Sequence, residues 1–290
     1  MKTIILTGSN SGFGLLTVQT LAKQGHKVYA TMRNVTTKNA EAAKDLSQWA
    51  ADNNVQIKII ELDVNDDASV EKAMAEIAAD AGGKIDVLIN NAGTGFIGLN
   101  ESLSPAQTNQ IFQINVLAAD RMIKGALPYM HLQKDGLILT ISSVGARQPM
   151  PVMGVYAATK AAIDNLSASY YYELRSAGID VAIVQPGVYP ATDIVAKQLV
   201  PAKPNVEQYY GEDILNFQKG VFKAFIPNEN SPSPQEVADL IASIIDTPKG
   251  SRKLWNIVGG GPLAAHVDNI NQATGQLVET ILGATAAHAH

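Results

Sequence analysis

Thr3-Ile4-Ile5-Leu6-Thr7-Gly8-Ser9-Asn10-Ser11-Gly12-Phe13-Gly14 decides the fold of this chain. A short β-rich apolar run leads straight into a glycine loop, and helical spacing begins where the loop ends. A strand that is apolar at successive positions is buried on both faces, which points to a parallel sheet covered by helices. The three glycines have separate uses. Gly8 permits a tight turn, Gly12 lets backbone approach a pyrophosphate at a helix N-terminus, and Gly14 lets helix and strand pack closely. The spacing is G-x-x-x-G-x-G. Small turn-formers also follow strands in plain strand–helix turns, so the loop taken alone leaves both readings open.

The rest of the chain repeats the pattern. Short apolar runs at residues 27–31, 55–62, 85–89, 137–142 and 179–184 alternate with helical segments at 12–24, 39–53, 68–81, 105–129 and 155–177. Such alternation predicts an α/β fold, a Rossmann-type doubly wound parallel sheet with helices on both faces. Ser104-Pro105 reads as a helix N-cap and first position. Asp66, Asp67 and Ser69 crowd another helix start, where negative charge is favoured. Gly178 ends the long helix. After Pro186 the regularity weakens across Pro190, Pro201, Pro204 and Pro227. Helices are expected at about 207–225 and from the capped start Ser233-Pro234-Gln235-Glu236 to Asp246, a last strand at 253–258, and a helical tail from Val267. We read one domain over 1–290, with an insertion at about 188–230 and a C-terminal extension at about 259–290.

Composition narrows the function. The 290 residues are 46% hydrophobic and 17% charged, with a net charge of −5 and no cysteine. A disordered chain, a disulfide scaffold, a thiol nucleophile and a cysteine metal site are excluded. A mildly acidic chain without a basic cluster is not expected to bind nucleic acid or an anionic membrane. No apolar run reaches the ~18 residues of a membrane span. The first residues meet the glycine loop too soon for a signal peptide, so a cytoplasmic protein is expected. His26, His131, His266, His288 and His290 form no metal spacing, and no metal is expected.

Nucleotide choice is read at the end of the second strand, where an acidic residue would hold the ribose 2′-hydroxyl of NAD. Here that position is Met32, followed by Arg33. A guanidinium can grip a 2′-phosphate and no carboxylate repels it, so NADP(H) is expected over NAD(H). A solvated arginine is the plainer alternative. Asp63, with Val64, ends the third strand, where it could meet the adenine edge or cap a turn.

Further features stand at strand ends, where open α/β sheets bind ligands. Asn90-Asn91-Ala92-Gly93 ends strand four, with Asn115 in the next helix. Ile141-Ser142-Ser143 ends strand five, and Tyr156-Ala157-Ala158-Thr159-Lys160 opens the helix after it. Each alone is an ordinary turn, cap or helix residue. Together, in this order and with Pro186-Gly187, they resemble the short-chain dehydrogenase/reductase family over roughly residues 2–187. The resemblance implies about seven strands and NAD(P)-dependent interconversion of carbonyl and alcohol. It places the catalytic roles on Asn115, Ser143, Tyr156 and Lys160, the family's spacing choosing Ser143 over Ser142. The cofactor contacts it implies are Gly8, Asn10, Ser11, Gly12, Phe13, Gly14, Arg33, Asp63, Val64, Asn91, Ala92, Gly93, Tyr156, Lys160, Pro186, Gly187, Val188 and Thr192. Thr192 stands six positions after Pro186 rather than the family's five, so the loop bulges or that contact shifts. Asn115, by resemblance, would hold a water that links Lys160 to solvent.

The chemistry asks for these residue types. Hydride reaching a carbonyl carbon leaves negative charge on oxygen, so one donor must protonate it and another hold it. Tyr156 and Ser143 can do so, and Lys160 shares a helix face with Tyr156 at i+4. An unshifted tyrosine is only about one part in a thousand ionised at pH 7, a deficit of about 4 kcal/mol for a base but none for an acid. The reading is an NADPH-dependent carbonyl reductase, reversible as an alcohol dehydrogenase, for a hydrophobic small molecule. Its competitors are an NADP-sensing protein without chemistry and a sugar-nucleotide epimerase. The pocket is expected from residues 94–96, Gly145, Met150, 152–153, 188–189, Tyr209, Tyr210 and Phe217. A homodimer or homotetramer is implied through the helices at 105–129 and 155–177.

Overall fold

The structure is a computed structural model that describes residues 1–192, 194–195 and 197–287. Its strands are β1 (Thr3–Thr7), β2 (Lys27–Met32), β3 (Ile57–Glu61), β4 (Val87–Asn90), β5 (Gly136–Ile141), β6 (Ile179–Pro186) and β7 (Trp255–Val258). They form one seven-stranded sheet in the order β3-β2-β1-β4-β5-β6-β7. All six pairings are parallel. The helices are α1 (Gly12–Lys23), α2 (Ala40–Asp52), α3 (Asp67–Asp80), α4 (Pro105–Phe112), α5 (Ala118–Gln133), α6 (Gly154–Leu174), α7 (Glu212–Ala224), α8 (Gln235–Asp246) and α9 (Ala264–Ala287).

Period-two alternation sorts the strand side chains into two cores. Ile4, Leu6, Val28 and Ile89 pack with Val18 of α1 and Ile241 of α8. Ile5, Tyr29, Leu88 and Ile138 pack with Met74 of α3 and Ile123 of α5. Each such aliphatic or aromatic side chain contributes about 1.5–3 kcal/mol on burial. Because β1 pairs with both β2 and β4, strand order reverses there, and a crevice opens at the carboxyl ends.

Helix caps follow the sequence. Ser104 and Gln107 form a reciprocal capping box, and Asp66 accepts from the Ala68 and Ser69 amides. The helix expected at 105–129 is instead broken. Gln113–Leu117 is a π turn in which the Ala118 N–H reaches Gln113 O, and α5 then runs to Gln133. The extra residue leaves Asn115 facing inward, 3% exposed. His131 therefore lies inside α5 rather than past its end. The tail helix starts at Ala264, three residues before Val267. His288 and His290 lie outside the described residues. Among the described residues no acidic and histidine cluster could hold a metal, and no helix is long and apolar enough to cross a membrane.

Five side chains lock the far end of the sheet to α6. Asp164 is fully buried, and its Oδ1 accepts from Arg147 Nη2 at 2.6 Å and Trp255 Nε1 at 2.9 Å. Its Oδ2 accepts from Gln185 Nε2 at 2.8 Å. Asn271 of α9 closes the ring, donating to Gln185 Oε1 at 2.7 Å and accepting from Arg147 Nε at 2.9 Å. A buried guanidinium that loses its carboxylate is left uncompensated. Asp164→Ala should therefore lower unfolding free energy by about 3–5 kcal/mol, read from denaturant midpoints at unchanged slope. A loss under about 1 kcal/mol would show the ring to be incidental.

Candidate active site

The glycine loop is tied to both neighbouring strands. Gly8 N and Ser9 N donate to Thr31 O at 3.1 Å, and Ser9 Oγ adds a third bond at 2.9 Å. On the other side Thr7 Oγ1 accepts from the Asn91 and Ala92 amides, both at 3.0 Å. Asn91 Nδ2 donates to Thr7 O at 2.8 Å and Gly8 O at 3.0 Å. The Asn91 side chain is thus spent on holding β4 to the loop. Gly8 and Gly12 have φ of +69° and +57°, where other residues are strained. A Cβ on Gly14 would strike Gly8 O and come within 2.6 Å of Asn91 Nδ2. Nothing lies within 4 Å of the Cβ position at Gly12, which leaves that side of the loop open.

Arg33 follows the loop's anchor at the end of β2. It is exposed and makes no ion pair among the described residues, while its carbonyl accepts from Asn39 Nδ2 at 2.6 Å. Asn10 Nδ2 donates to Asn39 Oδ1 at 3.2 Å, so Asn10 joins this bridge. Met32, which precedes Arg33, is buried. Asp63 caps its own turn, Oδ1 accepting from Asn65 N at 2.9 Å, and the Val64 carbonyl accepts from Arg121 at 2.8 Å.

Strand ends and α6 bring Ser143, Tyr156 and Lys160 together. Ser143 and Tyr156 face each other beside Gly145, whose Cβ position lies 3.2 Å from Ser143 Oγ and 3.7 Å from the Tyr156 ring. Ser143 Oγ accepts from Gly145 N at 3.0 Å, and its contact to Pro186 O is long, at 3.5 Å. Ser142 turns the other way, toward Lys160 O at 3.4 Å. Lys160 Nζ lies 5.9 Å from the Tyr156 ring centre and donates to Ile141 O at 2.9 Å. Burial raises the Tyr156 pKa above its usual 10, opposed by the Ser143 hydroxyl. Burial lowers Lys160 to about 8, opposed by the Asp164 charge one turn along α6.

Asn115 meets this group from the π turn. Its Oδ1 accepts from Thr94 N at 2.8 Å, and its Nδ2 donates to Thr94 O at 2.9 Å and Thr159 Oγ1 at 3.0 Å. A Cβ on Gly93 would lie 3.3 Å from Asn115 Oδ1 and 3.9 Å from Lys160 Nζ. Both amide protons of Asn115 and one lone pair of its oxygen are therefore spent on clamping the β4 loop to α6.

Gly187 closes the floor, its N–H donating to Val258 O at 2.8 Å. A Cβ there would collide with Gly259 O, so only glycine fits. Tyr189 stacks edge-on against Phe13 with ring centres 5.3 Å apart and bonds Glu236 at 3.1 Å. Thr192 directs both its N–H and its hydroxyl to Tyr189 O, at 3.2 and 2.8 Å, within its own loop. Lys197 reaches across from the insertion and donates to Ser11 Oγ at 2.7 Å, a contact that nothing in the sequence announced.

Above Ser143 and Tyr156 opens a cavity of about 440 Å³. Phe96, Gly145, Met153, Val188 and Phe217 line it as expected, and none of its described lining residues is charged. Helix α7 turns Phe217, Val221 and Ala224 toward it, a four- and three-residue spacing that puts them on one face. Four expected wall residues do not line it. Tyr209 is 77% exposed, Tyr210 bonds Glu101 at 3.0 Å, and Thr94 is held by Asn115. Val152 is packed away in a separate cluster, its carbonyl accepting from Gly98 N at 2.7 Å. Ile194, Val195 and Gln148 line the cavity without having been expected.

The short chain dehydrogenase family model matches residues 2–201. An uncharacterized oxidoreductase of Bacillus subtilis, YusZ, is 34% identical over 83% of this chain and 83% of its own length. A 3-ketodihydrosphingosine reductase of Bacteroides thetaiotaomicron is 30% identical over 83% of this chain and 82% of its own. The crystal structure of a short-chain dehydrogenase from Streptomyces avermitilis superposes with a TM-score of 0.74 at 27% identity, covering 97% of this chain and 98% of that one. With the glycine loop, the strand-end serine and the tyrosine–lysine pair assembled around one crevice, the chain belongs to the short-chain dehydrogenase/reductase family of oxidoreductases.

Proposed function

We propose that the chain is an NADP(H)-dependent carbonyl reductase, reversible as an alcohol dehydrogenase, for an uncharged hydrophobic ketone or secondary alcohol. The observation that carries this is Tyr156, which lines an uncharged cavity together with Ser143 and stands one helical turn from Lys160. The relative named as a 3-ketodihydrosphingosine reductase reduces a ketone by name, which agrees.

The residues fit the nucleotide. Gly8, Gly12 and Gly14 would hold the pyrophosphate at the α1 N-terminus, where N–H groups and the helix dipole favour anions. Arg33, which makes no ion pair among the described residues, would hold the 2′-phosphate. Lys160 has two N–H groups beyond the one given to Ile141 O, enough for the ribose hydroxyls. When bound, the nicotinamide supplies or accepts the hydride.

Tyr156 donates its proton to the carbonyl oxygen as charge develops there. Ser143 donates the second hydrogen bond, which its weak contact to Pro186 O leaves free to form. The phenolate left behind is stabilised by the Lys160 cation. Because the Asn115 amide is taken by Thr94 and Thr159, a relay water would bond its main-chain carbonyl instead. The same reading carries a homodimer or homotetramer through α5 and α6, beside which Leu117 stays 44% exposed.

Tyr156→Phe should cut kcat for ketone reduction by about 10²–10⁴-fold while NADPH affinity stays near wild type. Retained turnover would remove Tyr156 from the mechanism. Arg33→Ala should raise the NADPH KM by about tenfold or more and leave the NADH KM nearly unmoved; equal changes would refute the phosphate contact. Lys160 is charged below its pKa of about 8 and neutral above it, whereas Tyr156 stays protonated past 10. Reductive kcat/KM should therefore fall on an alkaline limb near pH 8, and Lys160→Arg should push that limb upward. An unmoved limb would assign it to another group.

A further inference from the structure

Lys197 lies on the segment after β6 and is exposed to solvent. Its Nζ nevertheless donates to Ser11 Oγ at 2.7 Å, a contact between residues 186 positions apart. Ser11 is the N-cap of α1, and its hydroxyl caps no amide of that helix. The first turn of α1 carries no acidic side chain. A helix start has amides without intrahelical partners and a partial positive charge. An ammonium brought there stands at the wrong end of the dipole, since cations are favoured at helix C-termini. The arrangement turns favourable when an anion binds at the same place. Room for one is present beside Ser11, where nothing lies within 4 Å of the Cβ position at Gly12.

The chain around the lysine is tied down. Gln198 accepts from Ile97 N at 2.9 Å, and Gln107 Nε2 donates to Val200 O at 2.7 Å. Ile194 and Val195, three and two residues before the lysine, line the cavity. Lys197 thus stands at the seam between the cavity wall and the glycine loop.

We infer that Lys197 is a nucleotide-binding residue whose ammonium pairs with the diphosphate received by the glycine loop. This rests on the proposed function, which makes that loop the nucleotide site. Ser11 accepts from the lysine and still has its own hydroxyl proton to give the same anion. A lysine suits the task, being a compact point charge on a flexible stem that can follow phosphate oxygens. Its role differs from that of Arg33. The arginine reads the 2′-phosphate, whereas Lys197 strengthens binding of any nucleotide that brings a diphosphate to α1.

The test is calorimetric binding to the full chain. The probes are NADP⁺ and adenosine 2′-monophosphate, which keeps the 2′-phosphate and lacks the diphosphate. Lys197→Gln keeps a donor for Ser11 and removes the charge. It should weaken NADP⁺ binding about tenfold and leave adenosine 2′-monophosphate binding unchanged. Lys197→Arg should stay near wild type for both probes. The gap between wild type and Lys197→Gln should close at about 1 M salt, where charges are screened within about 3 Å. Equal NADP⁺ affinities in wild type and Lys197→Gln would overturn the inference. So would an equal loss for both probes, a loss that salt does not change, or an arginine variant no better than the glutamine one. Each of those results leaves the nucleotide site itself standing. A wild-type chain that binds neither probe would instead overturn the proposed function, and this inference with it.

Discussion

Lys160 carries an ammonium in a setting where the residue is only 8% exposed, and a cation taken out of water is costly unless it is paired and bonded. Its surroundings answer that cost. Ile141 O accepts one of its protons at 2.9 Å, and the fully buried Asp164 lies one turn further along α6. Tyr156, Lys160 and Asp164 follow at i, i+4 and i+8, so phenol, cation and carboxylate share one stripe of an unbroken 21-residue helix. The carboxylate is restrained in turn by Arg147, Gln185 and Trp255. Without that ring the helix could still form, but the charge beside the tyrosine would lose its counterweight.

Much of this was legible because it is local. The β1 run, the Ser104 cap, the glycine spacing and the four-residue step from Tyr156 to Lys160 are all decided within a few residues. The parallel sheet was legible too, since apolar residues at successive positions leave no face for water. What was not legible depends on distant partners. The π turn reads as plain helix in sequence, because its reason is the bonding of Asn115 to Thr94 and Thr159, 21 and 44 residues away. Asp164 reads as an ordinary polar helix residue, because the donors that bury it stand 17, 21 and 91 residues away. The cavity wall was partly legible. The four- and three-residue steps from Phe217 to Val221 to Ala224 could have been read, whereas Tyr209 and Tyr210 drew attention by size alone.

Several polar residues around the crevice hold loops in place. Asn91 welds β4 to the glycine loop, Asn115 clamps Thr94 to α6, and Thr192 folds its hydroxyl back onto Tyr189. Rigid loops of this kind matter for a site whose donors must already be aimed when charge develops.

The ring around Asp164 also sets an order of events during synthesis. Helix α6 and its tyrosine–lysine pair leave the ribosome well before Trp255, which lies 91 positions after Asp164, and before Asn271. A nascent chain holding everything through β6 has the crevice at the strand ends, yet the ring around its buried acid still lacks two members. The lock on the α6 carboxylate is therefore completed last, by polypeptide made after the tyrosine and lysine it stands beside.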